Sequence, residues 1–320
     1  MIRINNTARR IGDPATVQIQ VTTVNHFRRI MLLASPSMRR TAAFERASWL
    51  AQTTGASLHI SLIDYDPGIA KALQAHPASG EKLREAYLAQ RRDWLAQEIL
   101  GLKSRRISAT TQVCWANPLK TELLAQIAAY APDLIVKDVH HEPLLRRILL
   151  RPLDWQLLRE CPSPLLLVGS LNHAVPKVVI AAVDVSGGDN AVSRFNRLIL
   201  GHAQALATDC GAELHVTYAF ILPVSIAGDF SGEIYDSLIR ADRVAFDALA
   251  KEYAIPSERA HFLVGPPATE IVELAARKGA DAIVLGASQH PWIDRLLMGT
   301  TAEAVLERSP CDVLAIKPEA

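Results

Sequence analysis

The chain has 320 residues, 49% hydrophobic and 21% charged, with a formal net charge of +1; this suits a globular protein with room for two domains of about 150 residues each. Near-neutrality argues against nucleic acid as the main partner, and the four cysteines (Cys114, Cys161, Cys210, Cys311) show no metal-ligand spacing, so reduced, mostly buried thiols and no metal site are expected. The opening MIRINNTARRIGDPATVQIQ lacks a signal-peptide core and no run of about 20 apolar residues follows, so a cytoplasmic protein with no membrane segment is the expectation.

In chain order, residues 30–34 form an apolar run that suits a buried parallel strand. Residues 41–53 place Ala43, Ala47, Leu50 and Ala51 on one helical face, with Gly55 as the stop. Residues 57–63 read as a second strand and 66–80 as a turn-rich connection. Residues 81–100 read as a charged amphipathic helix with Leu83, Tyr87, Trp94 and Leu95 inward. Strands at 107–115, 133–137 and 164–168 alternate with helices at 119–130 and 154–159. The remainder repeats this plan. Strands fall at 178–184, 213–220, 259–264, 281–286 and 312–316, with helices at 192–208, 235–253, 267–278 and 300–308.

The repetition is visible residue by residue. A shift of 148 places Pro118 on Pro266, Glu122 on Glu270, Asp133 on Asp281, Arg147 on Arg295 and Pro162 on Pro310. Upstream, TGASLHI at 54–60 mirrors CGAELHV at 210–216 with a shift of 156, which implies eight extra residues near 186–193 in the second copy. The expected organisation is therefore an extension at 1–25 followed by two tandem α/β domains, 26–169 and 175–318. Each is a doubly wound, five-stranded parallel sheet with helices on both faces.

The stretch 280–317 carries the candidate chemistry. A glycine ending a parallel strand, Gly286, lets a ligand approach the backbone. Gly299, Thr300 and Thr301 open a helix whose free N–H groups and dipole favour an anion such as phosphate. Asp184, Val216 and Gly286 are all expected at carboxyl ends of strands, where such sheets bind ligands. At the matching positions of the first copy stand Pro36, Asp138, His141, Arg151 and Pro152. An aspartate there repels phosphate and a proline has no N–H to offer it.

These residues resemble the universal stress protein family, and the duplicated layout is similar to its tandem E-type members. The resemblance covers nearly all of the chain beyond residue 25. It implies strand order 3-2-1-4-5 in each half and a Gly, two residues, Gly, nine residues, Gly, Ser or Thr phosphate pattern. Here that pattern reads Gly286, Gln289, Gly299, Thr300. Asp184 stands at the family's adenine- or ribose-side aspartate, and Val216 where a residue packs against the base. The implied ligand is ATP or a related adenine nucleotide in the second half alone. Gln289 departs from the pattern: if that position needs positive φ, a Cβ there costs about 1 kcal/mol or more and competes for phosphate space, whereas the glutamine amide can instead donate a hydrogen bond in an altered cradle. The family also pairs single domains through the edge strand equivalent to 312–316. Duplication lets 164–168 meet that edge within one chain, giving a two-lobed monomer that mimics such a dimer, or a homodimer of these.

Other features read more plainly. His140 and His141 beside Asp138 and Glu142 suit a solvated loop better than a zinc site. Arg146, Arg147 and Arg151 read as a surface face partly neutralised by Asp154 and Glu160, and Trp155 as a core or interface anchor. Ser186 and Ser288 have no base in sequence to activate them. Three functions follow in order: a non-catalytic stress-response protein with an adenine nucleotide in the second half; a nucleotide-independent module for another small, partly apolar ligand or a protein partner; and a weak ATPase.

Overall fold

Strand-forming runs separated by amphipathic helices leave one economical arrangement, a parallel sheet covered on both faces. The computed structural model describes residues 27–142, 147–149, 152–169, 175–187, 190–221, 232–287 and 300–318. The first half comprises β1 (Arg29–Leu33), α1 (Ala42–Thr54), β2 (Ser57–Asp64), α2 (Pro67–Ala75), α3 (Pro77–Ser104), β3 (Ala109–Trp115), α4 (Leu119–Tyr130), β4 (Leu134–Asp138), β5 (His140–Glu142), β6 (Arg147–Leu149), α5 (Pro152–Glu160) and β7 (Leu165–Val168). The second comprises β8 (Val178–Ala182), α6 (Asn190–Cys210), β9 (Glu213–Phe220), α7 (Gly232–Glu252), β10 (Ala260–Val264), α8 (Pro267–Lys278), β11 (Ala282–Gly286), α9 (Thr300–Arg308) and β12 (Asp312–Ile316).

All strands except β5 and β6 join one sheet in the order β10-β9-β8-β11-β12-β7-β4-β1-β2-β3. Within each half the pairing is parallel and the order is 3-2-1-4-5. The halves meet through antiparallel pairing of β12 with β7, Val313 opposite Leu167 and Ala315 opposite Leu165. The edge strand of each half thus closes the other. Successive side chains along β1 alternate between two cores. Ile30 and Leu32 join Phe44, Leu95, Leu200 and Phe246 on one face. Met31 and Leu33 join Leu123, Leu157, Leu274 and Val305 on the other. Both cores run through both halves.

The repeat has physical content. Asp133 accepts hydrogen bonds from the Arg28 and Arg29 amides (2.8 and 3.0 Å), and Asp281 accepts them from Lys177 and Val178 (2.7 and 3.1 Å). In each half one carboxylate ties the start of the fourth strand to the start of the first. At the seam on the α1 and α6 side, the fully buried Arg46 reaches across to Asp312. Its Nη2 and Nε donate to Oδ2 at 2.9 and 3.2 Å, while the Gly169 amide donates to Oδ1. Phe27 stacks on His202 of α6 nearby, with centroids 5.9 Å apart.

The structure departs from the sequence reading in four places. Residues 66–80 hold a helix, α2, capped by Asp66 with Pro67 in its first turn. That Asp-Pro pair is a start signal the turn-rich composition masks. Gly80 then lets α3 cross the backbone of Ala72 and Leu73, where a Cβ would clash. Second, α3 turns Leu88, Arg91, Leu95 and Leu102 inward, whereas Leu83 is 53% exposed. Third, His140–Glu142 and Arg147–Leu149 pair as a two-stranded antiparallel sheet where a loop was expected, and β6 lies against α9 of the second half. Fourth, α6 has 21 residues against 13 in α1, so the extra segment lengthens the helix.

Candidate functional site

In each half the strand order reverses between the first and fourth strands, which opens a crevice at their carboxyl ends. In the second half that crevice lies beyond β8 and β11. Beyond β8, Asp184 is exposed, and its Oδ1 accepts from the Ser186 amide (2.9 Å) and hydroxyl (2.7 Å). The buried Asn196 side chain clamps the same residue from α6. Its Oδ1 accepts from the Asp184 amide at 3.1 Å, and its Nδ2 donates to the Asp184 carbonyl at 2.5 Å. Tyr218, near the end of β9, donates its hydroxyl to Asp242 of α7 at 2.5 Å. Burial, then the Asp242 and Asp184 carboxylates, push that phenol well above its ordinary range.

Gly286 is the last residue of β11, and its need for glycine is explained within the chain. A Cβ there would lie 2.7 Å from Cζ of Phe195 and 3.2 Å from Cδ1 of Ile199, both on α6. The extended helix thus sets an aromatic ring directly on the glycine, on the core side where a Cβ would project. Val216, expected at a strand end, is instead the fourth of eight residues in β9. It lies between Ala181 and Ala260 and is fully buried, so its side chain faces the core. The reason is register: β9 continues four residues further, to Phe220. Thr300 opens α9 and Thr301 is exposed in its first turn. Gln289 and Gly299 lie outside the described residues, as do residues 1–25, Arg146, Arg151 and Ser288.

The first half closes the equivalent crevice with its own groups. Asp138, at the position of Gly286, accepts from the Ala43 amide at 2.9 Å and from the Thr41 side chain, at the start of α1. A fixed carboxylate therefore occupies the place where an anion would meet those donors. Burial raises its pKa, and its Oδ2 is buried with no hydrogen-bond partner among the described residues. Asp154, expected on a surface face, is fully buried, and Lys137 reaches its Oδ1 at 2.6 Å. Glu160 likewise pairs with Lys120 (2.8 Å). Trp155 is partly buried against the second core. Sequence reasoning did not single out Phe195, Asn196 or Tyr218. The only signal for the first two is that they sit in or beside the extra segment of the second copy.

The family model described as universal stress protein family matches residues 26–169 and 193–317. Universal stress protein E of Photorhabdus laumondii is 27% identical over 301 residues, covering 92% of this chain and 96% of the relative. Universal stress protein E of Escherichia coli K12 is 25% identical over 299 residues, covering 92% and 95%. Among solved structures, a protein of unknown function from Pseudomonas aeruginosa PAO1 superposes with a TM-score of 0.71 at 26% identity, covering 91% of this chain and 93% of that one.

Proposed function

This chain belongs to the universal stress protein family, and from that premise we propose that it is a non-catalytic tandem member, with halves at 26–169 and 175–318, whose resting form binds no nucleotide. The observation that carries this reading is the ring of Phe195 seated on Gly286. On this reading the ring packed against that glycine narrows the approach to the second-half crevice, and in the other half the Asp138 carboxylate, bonded to the Ala43 amide and the Thr41 side chain, repels a phosphate. The chain then serves the stress response in the cytoplasm as a binding module for another small ligand or a protein partner. Pairing of β7 with β12 supports a two-lobed monomer with β3 and β10 as its outer edges. Among the described residues, no helix is long and apolar enough to cross a membrane.

A second reading keeps ATP, once per chain, in the second half. What favours it is the exposed Asp184 carboxylate beside the Ser186 and Tyr218 hydroxyls, with Thr300 and Thr301 opening α9 on the other side of the crevice. Titration calorimetry with ATP decides between the two. The first reading expects no heat of binding from the native protein, with or without Asp184→Ala. Native binding at one ATP per chain, lost in Asp184→Ala, overturns it in favour of the second.

A further inference from the structure

We propose that the first half carries a binding site for a small organic cation, an alkylated or quaternary ammonium, at the carboxyl ends of β2 and β3. A cavity of about 470 Å³ opens there, within the size range of small-molecule sites. Tyr65, Trp115, Asn117, Pro118, Thr121 and Glu122 line it. The Tyr65 and Trp115 rings, with centroids 5.2 Å apart and planes tilted by 52°, make two walls of an open corner, and Tyr87 backs Trp115 edge-on at 5.6 Å. Both wall residues are only partly buried, so ring surface remains accessible. The negative faces of such rings attract a cation, and most strongly one that is weakly hydrated.

Charge selects the sign of the ligand. Among the described residues, Glu122 is the one charged residue in the lining. Its Oε1 accepts from Gln126 at 2.8 Å, and no described residue forms an ion pair with it. The neighbouring cations are engaged elsewhere, Lys120 with Glu160 (2.8 Å) and Arg91 with Asp64 (2.7 Å). Asp66, next to Tyr65, adds a second carboxylate, which caps α2. The start of α4 has no side-chain cap and its dipole opposes this field. That dipole is equivalent to about half a positive charge, against a full negative charge on Glu122 in the same turn. Aromatic walls and a carboxylate with no counter-charge match a monocation of modest size. The site is separate from the second-half crevice, so the ATP titration has no bearing on it.

Choline and its uncharged isostere 3,3-dimethylbutan-1-ol, titrated into the full chain by calorimetry and NMR, test the assignment. Choline is expected to saturate at millimolar concentration and the alcohol to bind at least about tenfold more weakly. Glu122→Gln and Trp115→Leu should each weaken choline by about 3- to 30-fold, with circular dichroism confirming that both variants are folded. Equal affinity for the two probes, native affinity in folded Glu122→Gln, or no choline binding at 100 mM would each overturn the proposal.

Discussion

Replacing Arg46 with methionine removes a buried polar contact between the two halves, its pairing with Asp312. The methionine keeps most of the apolar stem but leaves Asp312 without its guanidinium, in a place where both side chains are only 1% exposed. Among the described residues, Asp312 loses two hydrogen bonds from Arg46 and keeps one from the Gly169 amide. Removing one partner of a fully buried pair costs about 3–5 kcal/mol, because the remaining charge is left desolvated. Burial already pushes Asp312 up to about 7, against the pull of Arg46 and the Gly169 amide. A carboxyl whose folded pKa lies above its unfolded value favours folding at low pH and loses that advantage as pH rises through the folded pKa. Without Arg46 the pKa rises further, so the variant should protonate Asp312 rather than bury its charge. Urea unfolding should therefore show the full loss at pH 8.5 and a smaller one at pH 6. Arg46→Met with Asp312→Leu should recover most of the stability, since apolar side chains then fill the seam. A loss below about 1 kcal/mol at pH 8.5, or no recovery in the double variant, refutes the view that this pair fastens the halves.

Three further outcomes are expected. Gly286→Ala should destabilise by about 1–3 kcal/mol through overpacking against Phe195 and cost little in a Phe195→Ala background; additive losses in a double-mutant cycle would show that the ring does not impose the glycine. Ala131 holds a left-handed φ of 47° at the end of α4, where Gly279 holds 61° at the end of α8, so Ala131→Gly should raise unfolding stability by about 1 kcal/mol, and a decrease would contradict the strain. Burial pushes His202 down to about 4, and burial with the neighbouring His215 pushes His261 to about 4. A base whose folded pKa is depressed supports the fold above its unfolded value near 6.5 and withdraws that support as pH falls toward 4. Melting temperature should therefore drop between pH 6.5 and 4, less steeply in His202→Leu; an unchanged slope in that variant would exclude His202 as a contributor.

How much was readable in advance differs from residue to residue. Asp133 and Asp281 stood out because a repeat reveals positions that do the same work twice, and both do tie neighbouring strands. The closed first-half crevice was legible in one letter, Asp138, because a carboxylate in place of glycine changes sign and size together. Leu83 and Leu88 show the opposite case. Helical spacing admits either as the inward residue of α3, and only the tertiary packing selects Leu88, which is buried while Leu83 is exposed. The extra residues of the second copy were countable, but their number does not say whether they form a loop or prolong a helix.

Alternating apolar runs, glycine stops and an internal copy were enough to determine two parallel α/β halves, because those signals act within a few residues of chain. Pairing of the edge strands within one chain was an inference from resemblance, and the tertiary structure supplied its register. What only the assembled structure decided is which distant side chains share a space: Phe195 on Gly286, Arg46 against Asp312, and Tyr65 with Trp115 beside Glu122. Such meetings depend on helix length and on how two cores close over one sheet, and no local pattern encodes either.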